Sequence, residues 1–134
     1  MKGPLQGIKV LELAGLAPVP FAGMVLADFG ASVIRIDRTG VTTTTDTLAR
    51  GKKSISVNLK SDKGVEVVKR LTATSDVLLE PFRPGVMEKL GLGPKTLLDI
   101  NEKLVYARIN GNDIMSYYHR FTSSLPSENS KFIN

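Results

Sequence analysis

The segment from Ile8 to Asp37 constrains the fold more than any other part of the chain. Ile8–Leu13 (IKVLEL) is a run of β-branched residues and leucine between Gly7 and Gly15, the pattern of a buried strand. Gly15-Leu16-Ala17-Pro18 makes a turn, and Pro18 and Pro20 suit the first turn of a helix, where a missing N–H costs little. Phe21, Met24, Val25 and Phe29 recur at helical spacing until Gly30 ends the helix. Ser32–Asp37 (SVIRID) is a second strand. A strand, helix and strand packed this closely form a crossover unit. Such units are right-handed, so both strands belong to a parallel sheet.

The alternation continues downstream. Thr39–Thr47 is a polar, threonine-rich loop, and Arg50-Gly51-Lys52-Lys53 reads as a basic turn. Ser54–Leu59 (SISVNL) alternates like a strand. Ser61 is placed to cap a helix whose apolar stripe is Val65, Val68 and Leu71, with Val67 at its margin. Asp76–Glu80 (DVLLE) is a further parallel-type strand, and Pro81–Gly85 is a rigid loop. Short helices follow at Val86–Leu90 and Lys95–Ile100, then a strand at Leu104–Ile109. Together these elements predict an α/β fold with a mainly parallel sheet and flanking helices. The periodicity covers residues 1–110. Residues 111–134 hold five of the ten serines and show no period, which reads as a mobile tail that Tyr117, Tyr118 and Phe121 could anchor in part.

Composition narrows the chemistry. The 134 residues contain no cysteine and a single histidine, His119, which excludes disulfide scaffolds, zinc-thiolate sites, cysteine nucleophiles and multi-histidine metal centres. No apolar run reaches the length of a membrane span, and no secretory signal opens the chain. The net charge of +5 is confined to the middle: residues 50–108 hold twelve basic and seven acidic side chains, and the two flanks are balanced. A local cationic excess of this kind points to a phosphate-bearing partner. Basic and aromatic residues are not interleaved, which argues against nucleic acid.

Arg38, Arg50, Lys52, Lys53, Arg83 and Lys89 are expected at the carboxyl ends of strands or on nearby loops, the edge at which open α/β sheets bind ligands. Guanidinium forks and ammonium points there could hold several phosphates. Asp37 stands 22 residues after Gly15, about where a ribose-binding acid would sit, but the G-x-G-x-x-G of a dinucleotide site is missing. Glu12 and Glu80 are expected on neighbouring strands, either as an acidic pair or as satisfied structural acids. His119 has no partner that the sequence can place.

Four segments carry a family resemblance: LELAGLAPVPFAGMVLADFGASVIRIDR, RGKKSISVNLKSDKG, DVLLEPFRPGVMEKLGLGP and LVYARING. From about Gly3 to Gly111 the chain resembles the N-terminal part of the acyl-CoA racemases of the family III CoA-transferase group, with Thr39–Thr47 the poorest stretch. The resemblance implies a Rossmann-like sheet belonging to the family's large domain, left incomplete here. It implies an acyl-CoA thioester as substrate, with CoA a part of that substrate rather than a separate cofactor. Family racemases invert the α-carbon of 2-methylacyl-CoA thioesters, including branched fatty acyl and bile-acid intermediates, in peroxisomes and mitochondria. Carried over by motif, Arg38 falls near the CoA 3′-phosphate, and Arg83 and Lys89 fall on the loop that reaches the CoA phosphates. By the same carry-over, Arg50 and Lys53 form a basic turn, and Val57 and Leu59 lie beside the adenosine.

The resemblance also marks a departure. The family's bases are a histidine in a Gly-His-Asp-Ile-Asn-Tyr segment and a later aspartate. Gly111-Asn112-Asp113-Ile114 resembles that segment only superficially and comes too soon after the strand, and His119 does not match its histidine. The expectation is a shortened form with a divergent tail at 111–134, lacking both bases and the second, smaller domain. No catalytic residue is then assigned. Family subunits are interlocked homodimers, so such a chain is expected to expose sheet edge and apolar helix faces.

Overall fold

The structure is a computed structural model that describes residues 3–16, 18–41 and 46–110 and the backbone of 116–118. Its elements are β1 (Lys9–Leu13), α1 (Pro18–Asp28), β2 (Ser32–Arg38), β3 (Lys52–Val57), α2 (Asp62–Ala73), β4 (Val77–Glu80), α3 (Val86–Lys89), α4 (Pro94–Ile100), β5 (Val105–Arg108) and β6 (Ser116–Tyr118). The six strands form one sheet in the order β3-β2-β1-β4-β5-β6. All pairs are parallel except β5 with β6. The expected mainly parallel α/β sheet is therefore present. The chain first builds β1, β2 and β3 outward to one side, then returns to place β4 and β5 on the other side of β1. The strand order reverses between β1 and β4, which is where ligands bind in sheets of this kind.

Strand alternation sends side chains to two cores. Leu11, Leu13, Ile36, Leu78 and Tyr106 face one side, packed with Val68 of α2, Met87 of α3 and Leu97 and Leu98 of α4. Val10, Val33, Leu79 and Ala107 face the other, packed with Val19 of α1 and Ala31. Full burial of each valine, leucine, isoleucine or methionine among them contributes about 1.5–3 kcal/mol. Local chemistry sets the ends of elements. Ser61 is extended (φ −99°, ψ 145°), and its Oγ accepts a hydrogen bond from the Gly64 N–H at 3.1 Å, capping α2 as expected. Gly85 opens α3 at φ 92°, a conformation that side chains with a Cβ rarely adopt.

Two boundaries differ from the sequence reading. Strand β3 begins at Lys52 rather than Ser54, so Lys52 and Lys53 are strand residues paired with Val33 and Ile34, not a turn. The cause is tertiary. The Lys52 side chain is 2% exposed and its ammonium donates to Glu12 Oε1 at 2.9 Å and to the Pro20 carbonyl at 2.8 Å, so a lysine that reads as surface charge is buried. At the other end, Asn58 Oδ1 accepts from the Lys60 N–H at 3.0 Å and turns the chain, which leaves Leu59 past the strand. Within the aperiodic stretch 111–134, the backbone of Ser116–Tyr118 adds strand β6, antiparallel to β5. The rest of that stretch, including His119 and Gly111–Ile114, lies outside the described residues.

Candidate functional site

A cleft of about 1000 Å³ opens at the carboxyl edge of the sheet, beside the point where strand order reverses. Its floor comes from the ends of β1, β2 and β3 through Leu13, Ile36 and Val57. One wall is the segment after β4, with Phe82, Val86 and Leu90. Val41 and Leu48, from the loop between β2 and β3, also line it. Gly15 explains how the segments after β1 and β4 meet: a Cβ there would lie 2.3 Å from Pro81 Cγ, so only glycine admits the contact. An apolar floor with a few charged groups at the rim is the usual composition of a small-molecule site.

The charges cluster at the end of β2. Arg35 and Asp37 are two residues apart on one strand and so share a face, and Arg35 Nε donates to Asp37 Oδ2 at 3.0 Å. Arg35 Nη1 is ion-paired with Asp46 Oδ2 from the loop. Arg38, next along β2, also lines the cleft and is exposed. Lys60 adds a second exposed cation just past β3.

The residues singled out from sequence divide into three groups. Arg38, Val57 and Leu59 line the cleft. Arg83 and Lys89 are exposed on the β4–α3 segment, which supplies the wall through Phe82, Val86 and Leu90. Arg50 and Lys53 precede or open β3, and a parallel strand begins at the sheet's opposite edge, away from the cleft. Arg50 is instead paired with Asp28 at the end of α1, 2.6 Å from Oδ2. The expectation that all the cations gather on one edge is thus corrected, because residues that lead into a parallel strand sit at its amino end, opposite the carboxyl edge where the cleft opens. Arg35, Asp46, Asn58 and Lys60 line the cleft and escaped the sequence reading. Arg35 had a readable sign, its two-residue spacing from Asp37; Asp46 lies in the poorest stretch of the resemblance.

Two buried ion pairs fix the elements around the cleft. Glu12 and Glu80 do lie on neighbouring strands but face opposite sides, so they do not form an acidic pair. Burial raises the Glu12 carboxyl against the pull of Lys52. Glu80 is fully buried beside Arg108 of β5, whose Nη2 also reaches Glu88 Oε1 on α3 at 2.7 Å. Burial pushes Glu80 up to about 7, opposed by the Arg108 guanidinium. Glu88 Oε2 accepts from the Gly85 N–H at 2.9 Å. One carboxylate therefore caps α3 and ties it to the sheet, holding the wall that carries Val86 and Leu90.

The family model described as CoA-transferase family III matches residues 5–117. The chain is 62% identical to alpha-methylacyl-CoA racemase of Mus musculus and 58% identical to that of Homo sapiens, in each case over 107 residues, 80% of this chain and 28% of the relative. It thus spans just over a quarter of the length of these relatives. Among solved structures, Rv3272 from Mycobacterium tuberculosis superposes with a TM-score of 0.76 at 41% identity, covering 83% of this chain and 35% of that one. A CAIB/BAIF family protein from Brucella suis gives 0.75 at 32% identity, over 83% and 34%. A family match from residue 5 to residue 117, and a sheet with the same fold as solved chains at this level of identity, lead to one conclusion: the chain belongs to CoA-transferase family III.

Proposed function

We propose that the cleft holds the coenzyme A part of a 2-methylacyl-CoA thioester, and that this chain is the CoA-holding portion of a racemase-type protein. The observation that carries the reading is Arg38, an exposed guanidinium on the rim of an apolar cleft at the reversal of strand order. The chain's similarity to the two racemases supports the choice of acyl group. The apolar floor of Leu13, Ile36 and Val57 suits a flat base, and Arg38 with Lys60 suits a phosphate beside it. Arg83 and Lys89, on the neighbouring wall segment, supply further positive charge for a pyrophosphate. Racemisation removes the α-proton to give an enolate and returns a proton to the other face. This needs two opposed acid/base groups and donors for the thioester oxygen. Among the described residues the cleft carboxylates Asp37 and Asp46 are both paired with Arg35. We therefore propose that the 134-residue chain binds CoA but does not turn over substrate by itself. The substrates proposed for the whole protein are branched fatty acyl and bile-acid thioesters, in peroxisomes and mitochondria.

Calorimetry with CoA and dephospho-CoA tests the reading. CoA is expected to bind about tenfold tighter, as a charged hydrogen bond to the 3′-phosphate requires, and Arg38→Met is expected to erase the difference. Equal affinities for the two ligands would refute the assignment of Arg38. Incubating a 2-methylacyl-CoA with the chain in deuterated water is expected to leave the α-proton unexchanged.

A second reading rests on a different observation. Phe21 on α1 and Phe29, one residue past its end, are 55% and 51% exposed, with Val25 four residues from each. Through this face the chain would pair with a longer family subunit and alter its activity. Co-purification after co-expression supports it, and separate elution refutes it.

A further inference from the structure

Asp46 makes two contacts that join the loop between β2 and β3 to the cleft. Its Oδ1 accepts from the Leu48 N–H at 2.9 Å, which fixes the turn that sets Leu48 against the cleft. Its Oδ2 pairs with Arg35 Nη1, and Arg35 is held from the other side by Asp37 Oδ2 at 3.0 Å. The Arg35, Asp37 and Asp46 side chains are 14%, 23% and 22% exposed, so the guanidinium is mostly covered while Asp46, on an exposed stretch of backbone, keeps one edge in water. A fork-shaped guanidinium between two carboxylates has a defined orientation that a lysine would lack. Arg38, one residue beyond Asp37, points to the opposite face of the strand and is left out of this arrangement.

We propose that Asp46 is a positioning residue: through Arg35 it clamps residues 46–48 to the end of β2 and so sets the Leu48 side of the cleft in the arrangement that holds ligand. This rests on reading the cleft as the CoA site. The clamp and simple electrostatics predict opposite signs for one substitution. Removing a carboxylate from the rim should tighten a polyanion if charge alone acts. If Asp46 positions the loop, the same change should weaken binding.

Asp46→Asn is the decisive variant, because an asparagine oxygen still accepts from the Leu48 N–H while the ion pair is lost. Arg35→Met keeps the aliphatic stem and removes the other partner. Calorimetry with CoA is expected to show each variant about fivefold weaker than the wild type, and the double variant no weaker than either single one. Wild-type or tighter binding by Asp46→Asn, or losses that add in the double variant, would overturn the clamp. Hydrogen exchange of the Leu48 amide in the ligand-free chain provides a second readout. It is expected to quicken about fivefold in both variants, and unchanged exchange would overturn the clamp. If wild type fails to bind CoA, the ligand assignment falls and the exchange rates alone decide the clamp. Should Arg35→Met not fold, Asp46→Asn, which leaves β2 untouched, carries both measurements.

Discussion

Glu80 shows how a single side chain acquires a property that its type does not have. It ends a strand, as the sequence reading expects, yet it is fully buried and shares Arg108 with Glu88. Desolvation, the largest influence, lifts its carboxyl from 4.5 to about 7 even though Arg108 acts to lower it. Between those values the folded chain holds a proton that the unfolded chain releases. Stability attributable to this group therefore falls as pH rises from about 4.5 to 7, and the penalty is complete above the folded value. Denaturant midpoints measured from pH 4.5 to 8 are expected to fall less steeply in Glu80→Gln than in the wild type. Parallel pH profiles for the two proteins would contradict this. Comparison with the variant is needed because Glu12 is also raised by burial and would tilt the wild-type profile the same way.

At the scale of elements, the packing of α1 on the sheet depends on a missing side chain. A Cβ at Gly23 would stand 1.8 Å from Glu12 Oε2 and 3.3 Å from Lys52 Nζ. The glycine thus makes room for a buried ion pair that spans β1 and β3 and also binds the Pro20 carbonyl in the first turn of α1. Since Pro20 lines the cleft, this pair helps set the position of the first turn of α1 beside it. Gly23→Ala gains about 1 kcal/mol of helix propensity. Disrupting a buried charge pair costs about 3–5 kcal/mol, so the substitution is expected to destabilise by roughly 2–4 kcal/mol in urea unfolding. A neutral or stabilising result would show that α1 can shift without losing the pair. The strand boundary at Lys52 has the same origin. The spacing of charged residues assigns it to a turn, and the acceptor that draws it into the sheet lies forty residues earlier.

The whole molecule has unequal faces. Helices α2, α3 and α4 contribute to the core on one side of the sheet, and α1 covers the other. That helix is apolar around most of its circumference, with Val19 and Met24 buried and Phe21 exposed, and Phe29 just past its end is exposed too. Exposed aromatics on one face favour association. Sedimentation of the isolated chain is expected to show self-association that strengthens with concentration. Replacing both Phe21 and Phe29 by serine is expected to weaken it at least severalfold. A monomer at all concentrations would refute the role of this face.

The sequence by itself determined the succession of elements from β1 to β5, the parallel pairing of β1 and β2, the Ser61 cap of α2, and the family. All of these follow from short-range periodicity, from glycine and proline, and from motif segments that lie whole in the chain. It also brought Arg38 forward from its place at a strand's carboxyl end, and Val57 and Leu59 through the family resemblance, and all three line the cleft. The tertiary structure decided which charges share a space. Lys52 became buried, Arg50 turned to Asp28, Glu12 and Glu80 parted to opposite faces, and Arg35 found Asp46. Each of these depends on a partner distant in sequence, on register between strands or on the face that strand alternation selects, and none leaves a local mark.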